Sequence, residues 1–145
     1  MLRLAERGGR FLGTDEEERF EILRWLFWDN HKLTGYMATY RYNRGFTSSP
    51  DPQVLGFFRK RLDDYLGILE QHLTGRLFVV GGGPPVADIS MVGYLFFSTE
   101  ETGYDFTTTH PTIQAWLARV AALPGWKPPY ELLPGQRLRR YPQNE

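Results

Sequence analysis

The stretch Gly81-Gly82-Gly83-Pro84-Pro85-Val86-Ala87-Asp88-Ile89-Ser90-Met91-Val92-Gly93-Tyr94-Leu95-Phe96-Phe97 decides the fold. A flexible Gly/Pro turn leads into a segment that is apolar on almost every side, and a helix apolar all round is a buried helix. This apolar helix is predicted from Val86 to about Ser98. One carboxylate, Asp88, sits about one turn inside it. Near a helix start a carboxylate accepts backbone N–H groups that lack a partner and faces the positive end of the helix dipole. Asp88 is therefore read as a structural helix cap rather than a catalytic acid, since no second acid near it completes an acid/base pair. Pro85, at the cap position, offers neither a side-chain oxygen nor an N–H. The donors expected for Asp88 are the amides of Gly81–Gly83.

Outward from this helix, the chain reads as helix after helix. Residues 1–12 form a short helical stub ending at Gly8-Gly9 and Gly13. Thr14-Asp15-Glu16-Glu17 reads as a capping box with Thr14 at N-cap and Glu17 at N3. The long helix it opens is predicted to run to about Tyr42. Its apolar stripe is Leu23, Leu26, Phe27, Leu33, Met37 and Tyr40, with Asn30 inside that stripe as a buried, hydrogen-bonded amide. Ser48-Ser49-Pro50-Asp51-Pro52 starts a second helix whose face is Leu55, Phe58, Leu62, Tyr65, Leu66, Leu69 and Leu73, closed by Gly75. Leu77-Phe78-Val79-Val80 is β-branched, but one lone strand has nothing to pair with, so it is read as a buried connector. A polar loop follows the apolar helix through Thr109. His110-Pro111 then opens a helix with Ile113, Trp116, Leu117 and Val120 on one face, ended by Pro124-Gly125. The class is all-α.

Composition narrows the function. The chain has 145 residues, long enough for one domain. Aromatic residues make up 15% and charged residues 23%, a globular balance. The formal net charge is zero, so there is no global attraction to nucleic acid. There is no cysteine, which excludes disulfides, thiolate catalysis and Cys-type zinc sites in this chain. The N-terminus lacks the apolar core of a signal peptide. The longest apolar run, Val86 to Phe97, is too short for a membrane span. A soluble cytoplasmic protein is expected.

The candidate binding residues lie on the first long helix. Trp28, His31, Lys32, Gly35 and Tyr36 fall off the main stripe at spacings of three or four. Aromatic walls, two donors and a small residue suit a hydrophobic substrate cleft. The competing reading has Trp28 and Tyr36 covering a neighbouring helix or another domain, with His31 and Lys32 in solvent. His31, His72 and His110 lie on different elements without metal-ligand spacing, so no metal is expected. Gly81-Gly82-Gly83 lacks the lysine and spacing of a phosphate loop. Arg137, Arg139 and Arg140 form a small basic tail.

Several segments, in order and spacing, resemble the glutathione transferases. Leu2-Arg3-Leu4-Ala5-Glu6 resembles the end of the last helix of that family's glutathione-binding domain, and Trp25-Leu26-Phe27-Trp28 the long helix that opens its second domain. Phe78-Val79-Val80-Gly81, Val86-Ala87-Asp88-Ile89-Ser90 and Tyr94 resemble the central helix and its approach. The run from Pro111 to Val120, with Leu123-Pro124-Gly125-Trp126, resembles the last family helix and its exit. The resemblance is to the all-helical C-terminal domain of a bacterial-type enzyme. It implies a remnant of the first domain plus linker at 1–13, the helical domain at 14–135 and a polar, basic tail at 136–145. The thioredoxin-like domain that grips glutathione and activates its thiol is not among these residues, so glutathione is expected as co-substrate only with that domain as partner.

The expected function follows from this resemblance. The chain shapes the apolar co-substrate site and the dimer contacts, without conjugating activity of its own. Self-association as a homodimer is expected through apolar surface around Trp25 and Trp28. The rival reading is a stand-alone interaction or scaffolding module.

Overall fold

The computed structural model describes residues 1–133, which contain helices and no strand. The basic tail with Arg137, Arg139 and Arg140, and the outer domain limit at 135, lie outside the described residues. Helix α1 covers Leu2–Gly8 and ends on Gly9, whose φ of +60° is the left-handed cap that glycine adopts without strain. Helix α2 spans Glu16–Trp28. Its capping box sits one residue later than the sequence predicts. Asp15 is the N-cap and accepts from the Glu18 amide at 2.8 Å, while Glu18 reaches back to the Thr14 amide at 2.7 Å and the Thr14 hydroxyl at 2.8 Å. The Glu18 carboxylate also sits against Gly81, where φ is +68° and a Cβ would fall 2.8 Å from Glu18 Oε1. The positive φ favours glycine at Gly81, whereas a Cβ at Gly82 or Gly83 would meet nothing within 4 Å.

The long helix continues through a π-helical turn at Asp29–Leu33 into α3, Thr34–Phe46. Its buried positions are Ile22, Trp25, Asp29, Leu33, Met37 and Tyr40. The expected stripe is thus corrected in its first half. Phe27 is 73% exposed and Asn30 is exposed, while Ile22 and Trp25 are buried in their place. Between Trp25 and Met37 the buried steps are four residues each. An α-helix repeats every 3.6 residues and would drift away from that face, and the wider π turn restores the phase. Asp29 is what hides the pattern in the sequence, because a carboxylate on the inner face reads as solvent-facing.

Helix α4, Pro52–Leu73, is capped by Asp51, which accepts from the Gln53 amide at 2.8 Å. Leu62, Tyr65, Leu66, Leu69 and Leu73 are buried as the spacing predicts, with Leu55 and Phe58 half-buried toward the helix start. The connector has Phe78 and Val79 inside and Leu77 exposed. Helix α5 is Val86–Met91 and passes into a 3₁₀ turn at Val92–Tyr94, so it is shorter than predicted. Gly93 lies at the point of loosening, and glycine inside a helix costs about 1 kcal/mol against alanine. The expected polar loop instead holds two one-turn helices, α6 at Thr99–Thr102 and α7 at Phe106–Thr109. Four residues are too few to show a helical period.

Helix α8, Pro111–Ala121, buries Ile113, Trp116, Leu117 and Val120. A final turn, α9, covers Pro129–Leu132. The core forms where Leu66, Leu69 and Leu73 of α4 meet Ala87 and Met91 of α5 and Ile113 and Trp116 of α8. One tertiary contact fixes α8 on α4. The two Glu70 carboxylate oxygens accept from the amides of Thr112 and Ile113, each at 2.8 Å. A carboxylate from another helix thereby does the work of an N-cap. Glu70→Ala is expected to lower stability by about 1–2 kcal/mol, seen as a lower urea midpoint, and Glu70→Gln by less. A Glu70→Ala protein with the parental midpoint would refute the cross-helix cap.

Candidate functional site

Three carboxylates are buried among the described residues: Asp88, Asp29 and Glu101. Asp88 is 0% exposed and accepts from the Val79 amide at 3.3 Å and, in a shorter contact, from the Trp116 indole N–H. The Gly81–Gly83 amides are not its donors. Its other oxygen, Oδ2, is buried without a hydrogen-bond partner. Burial pushes the Asp88 carboxyl up to about 7, with the Trp116 and Val79 hydrogen bonds opposing the shift. The Val79 peptide is held from its other side as well, because its carbonyl lies 2.8 Å from His72 Nε2. A carbonyl only accepts, so Nε2 carries the proton. Burial, together with the Arg76 and Arg24 charges, holds the His72 pKa below its ordinary value.

Asp29 is 2% exposed and bridges the π turn to α5. It accepts from the Thr34 hydroxyl at 2.6 Å and the Ser90 hydroxyl at 2.7 Å, and burial raises its pKa. Thr34 lies five residues on from Asp29, the spacing that a π turn brings together. Neither aspartate has a second acid within its hydrogen-bonded set, and the two hydroxyls on Asp29 have no histidine or other base beside them in that set. The geometry gives both a structural task.

A large concavity lies elsewhere, between the C-terminal end of α3, the α5 segment and the chain from Gly125 to Leu133. It encloses about 680 Å³. Phe46, Phe96, Phe97, Trp126 and Tyr130 supply its aromatic walls, and Ile89, Val92 and Leu133 its aliphatic ones. One polar clamp closes a side of it. Arg41 donates from Nε to Glu101 at 2.8 Å, from Nη2 to the same carboxylate in a shorter contact, and from Nη2 to the Tyr130 hydroxyl at 3.0 Å. Tyr130 in turn donates to Glu101 at 2.8 Å. The Arg41 guanidinium lies 3.7 Å from the Phe97 ring centroid. The clamp ties α9 to α3 and α6 and keeps Arg41 engaged.

The residues singled out in the sequence fall on another face. Trp28, Lys32 and Tyr36 gather on Tyr65 of α4. The Trp28 and Tyr36 rings lie 6.3 Å and 5.4 Å from it, and Lys32 Nζ lies 5.5 Å from its centroid. His31 and Gly35 are exposed beside them. The five share one helix face, but they do not line the aromatic cavity. Trp25, expected at an exposed patch, is 2% exposed, with its ring 4.3 Å from His72. The cavity residues that sequence reasoning missed are Arg41, Phe97, Trp126 and Tyr130. Their only signal is a cluster of aromatics in a proline-rich segment without a period. Among the described residues no group of His, Asp or Glu side chains can hold a metal ion, and no helix is long and apolar enough to cross a membrane.

Comparison with known proteins agrees with this architecture. Residues 58–124 match the family of the glutathione S-transferase C-terminal domain. A glutathione S-transferase from Xanthobacter autotrophicus Py2 superposes with a TM-score of 0.79 at 32% identity, over 91% of this chain and 65% of that one. One from Pseudomonas fluorescens Pf-5 superposes at 0.69 with 26% identity, over 79% of this chain and 57% of that one. A glutathione transferase from Burkholderia graminis, with two glutathione molecules bound per subunit, shares the fold at 0.73 and 22% identity, over 83% of this chain and 52% of that one. The fold is that of an all-helical transferase domain. The chain belongs to the glutathione S-transferase family through this C-terminal domain, and it spans about two-thirds or less of the length of these relatives.

The Asp88 shift gives a pH dependence. An acid whose folded pKa is raised favours the folded state most when protonated. Its contribution is full below the unfolded value near 3.9 and is lost as pH rises toward 7. The parent protein is expected to lose stability from pH 4 to pH 7 through this group, and Asp88→Asn to flatten that slope in urea titrations. Asp88→Ala leaves the Trp116 and Val79 N–H groups without an acceptor and is expected to cost about 1–3 kcal/mol. An unchanged slope in Asp88→Asn would assign the pH dependence to other groups.

Proposed function

We propose that this chain is the helical domain of a cytoplasmic, dimeric glutathione transferase of detoxification type, and that the aromatic cavity between α3, α5 and α9 takes the apolar co-substrate. The cavity itself carries this reading. It is a large, mostly apolar concavity, and its size and its few fixed polar groups match a small-molecule site. In the reaction, a glutathione thiolate attacks an electrophile held by these rings. Thiols near pKa 8.5 are mostly protonated at neutral pH, so a group that lowers the thiol pKa is required. No cysteine is present, and no strand of a thioredoxin-like domain is found among the described residues. The chain contributes the apolar wall and the partner domain contributes the thiol site. The Trp28, His31, Lys32, Gly35 and Tyr36 face serves as the contact toward that domain or a second subunit.

A second reading, an interaction module, draws on one observation. Phe20 and Phe27 stand 64% and 73% exposed on α2, an apolar surface without cover in this chain.

The test is a conjugation assay on the purified chain with glutathione and 1-chloro-2,4-dinitrobenzene, beside a full-length relative. The expected result is turnover at the uncatalysed rate, with binding of the aryl electrophile seen as quenching of tryptophan fluorescence. Of the four tryptophans only Trp126 lines the cavity, so Trp126→Phe is expected to remove most of that quenching. Catalysis by the chain alone, abolished by His31→Ala or Tyr36→Phe, would move the chemistry onto this domain. Absence of quenching would favour the interaction module.

A further inference from the structure

Helix α5 starts without a cap of its own. Pro85 brings neither an N–H nor a side-chain oxygen, and a helix of 6 residues is too short to hold itself. Its first amide, that of Val86, is satisfied from outside, by the carbonyl of Phe11 at 2.8 Å. The residue before, Arg10, gives its amide to the Ala5 carbonyl of α1 at 3.2 Å. Two consecutive residues are thus bonded to two different helices, with no slack between them. The link requires Phe11 to stand at φ +65°, and among the described residues it is the one non-glycine with a positive φ. A bulky L-residue is strained there and stays only where its surroundings hold it. The Phe11 ring packs half-buried on the core, with the Arg10 guanidinium 5.2 Å from its centroid. Two residues on, Gly13 presses on the start of α2, where a Cβ would fall 2.7 Å from the Glu18 Cβ.

We infer that residues 10–13 form a strap that couples the seating of α1 to the order of α5. Helix α1 is the input. Ala5 is buried and Leu2 half-buried against the core, while Leu4 on its open side is 72% exposed. Helix α5 is the output, because its Ile89 and the Val92 that follows it wall the aromatic cavity. Lifting α1 draws on the Arg10 amide, turns Phe11 out of its held conformation and takes the acceptor away from Val86. The first turn of α5 then frays, since Pro85 supplies no side-chain oxygen in its place. The ties of Asp88 and Ser90 to the connector, α8 and Asp29 stay, so the loosening is local.

The test is amide hydrogen exchange, read by NMR on the whole chain. Phe11→Gly removes the ring but suits a positive φ, whereas Phe11→Val keeps a branched apolar side chain that this φ disfavours. The Val86 amide is expected to exchange about fivefold faster in Phe11→Val than in Phe11→Gly, while the α8 amides exchange alike in the two. Loosening of Val86 by Phe11→Gly as great as by Phe11→Val would make Phe11 a packing residue and overturn the inference. The coupling itself is read with Ala5→Glu, which unseats α1. It is expected to speed exchange of the Val86 and Ser90 amides, and two glycines inserted between Gly9 and Arg10 are expected to abolish that effect. Leu2→Ala, a milder change on the same side of α1, gives the same reading where Ala5→Glu does not fold. No change at α5 when α1 is unseated, or a change that survives the insertion, would sink the strap.

Discussion

The peptide of Val79 is the point on which the rest of the helical core is hung. Its N–H is taken by Asp88 and its carbonyl by the protonated Nε2 of His72. Asp88 also holds the indole of Trp116. Four parts of the chain meet in this arrangement: the end of α4, the connector, α5 and α8. A backbone connector between helices would leave its polar groups unpaired if buried without such partners. The two side chains let a strand-like segment pass through the core without a sheet to pair it. The cost falls on Asp88, whose second oxygen has no partner and whose acidity is suppressed by burial. That carboxylate is tolerated because removing it would strand two donors in the same dry place.

Asp29 does a comparable job on the other side of α5. Its two hydroxyl partners come from the far end of a widened helical turn and from Ser90. Together the two aspartates pin α5 to the first long helix, to the connector and to α8. A six-residue helix is too short to be stable alone. Its position is set by what its neighbours donate to and accept from it. The Arg41, Glu101 and Tyr130 clamp applies the same device at the cavity, holding a four-residue turn against the bundle.

Much of this fold was legible in the residues. The leucine stripe of α4 and the face of α8 follow helical periods and are buried as their spacing predicts, while the apolar run from Val86 opens as a buried helix but leaves the α-helical form after Met91. Asp88 stood out as a lone carboxylate in an apolar helix, but its donors lie 9 and 28 residues away and no local pattern encodes them. The inner face of α2 was misread because Asp29 interrupts it with a charge, and because a π turn changes the period by less than a residue. The cavity was illegible for a different reason. Arg41, Phe97, Trp126 and Tyr130 come from four places in the chain, three of them without periodic structure. Only tertiary packing makes them one surface, whereas Trp28 and Tyr36, conspicuous on their helix, spend their rings on Tyr65.

The π turn at Asp29–Leu33 also makes the long helix behave as a geared shaft. One residue removed there closes the turn to an ordinary α-helical one. Everything downstream then rotates by about 100° about the axis, since each residue advances the helix by that angle. Such a shortening would keep the chain helical while swinging Arg41 off Glu101 and turning Met37 and Tyr40 out of the core. A substitution in this turn changes chemistry locally, whereas a deletion changes which face of α3 looks into the cavity. The widened turn is therefore the place where a single codon's length, rather than its identity, sets the shape of the aromatic cavity.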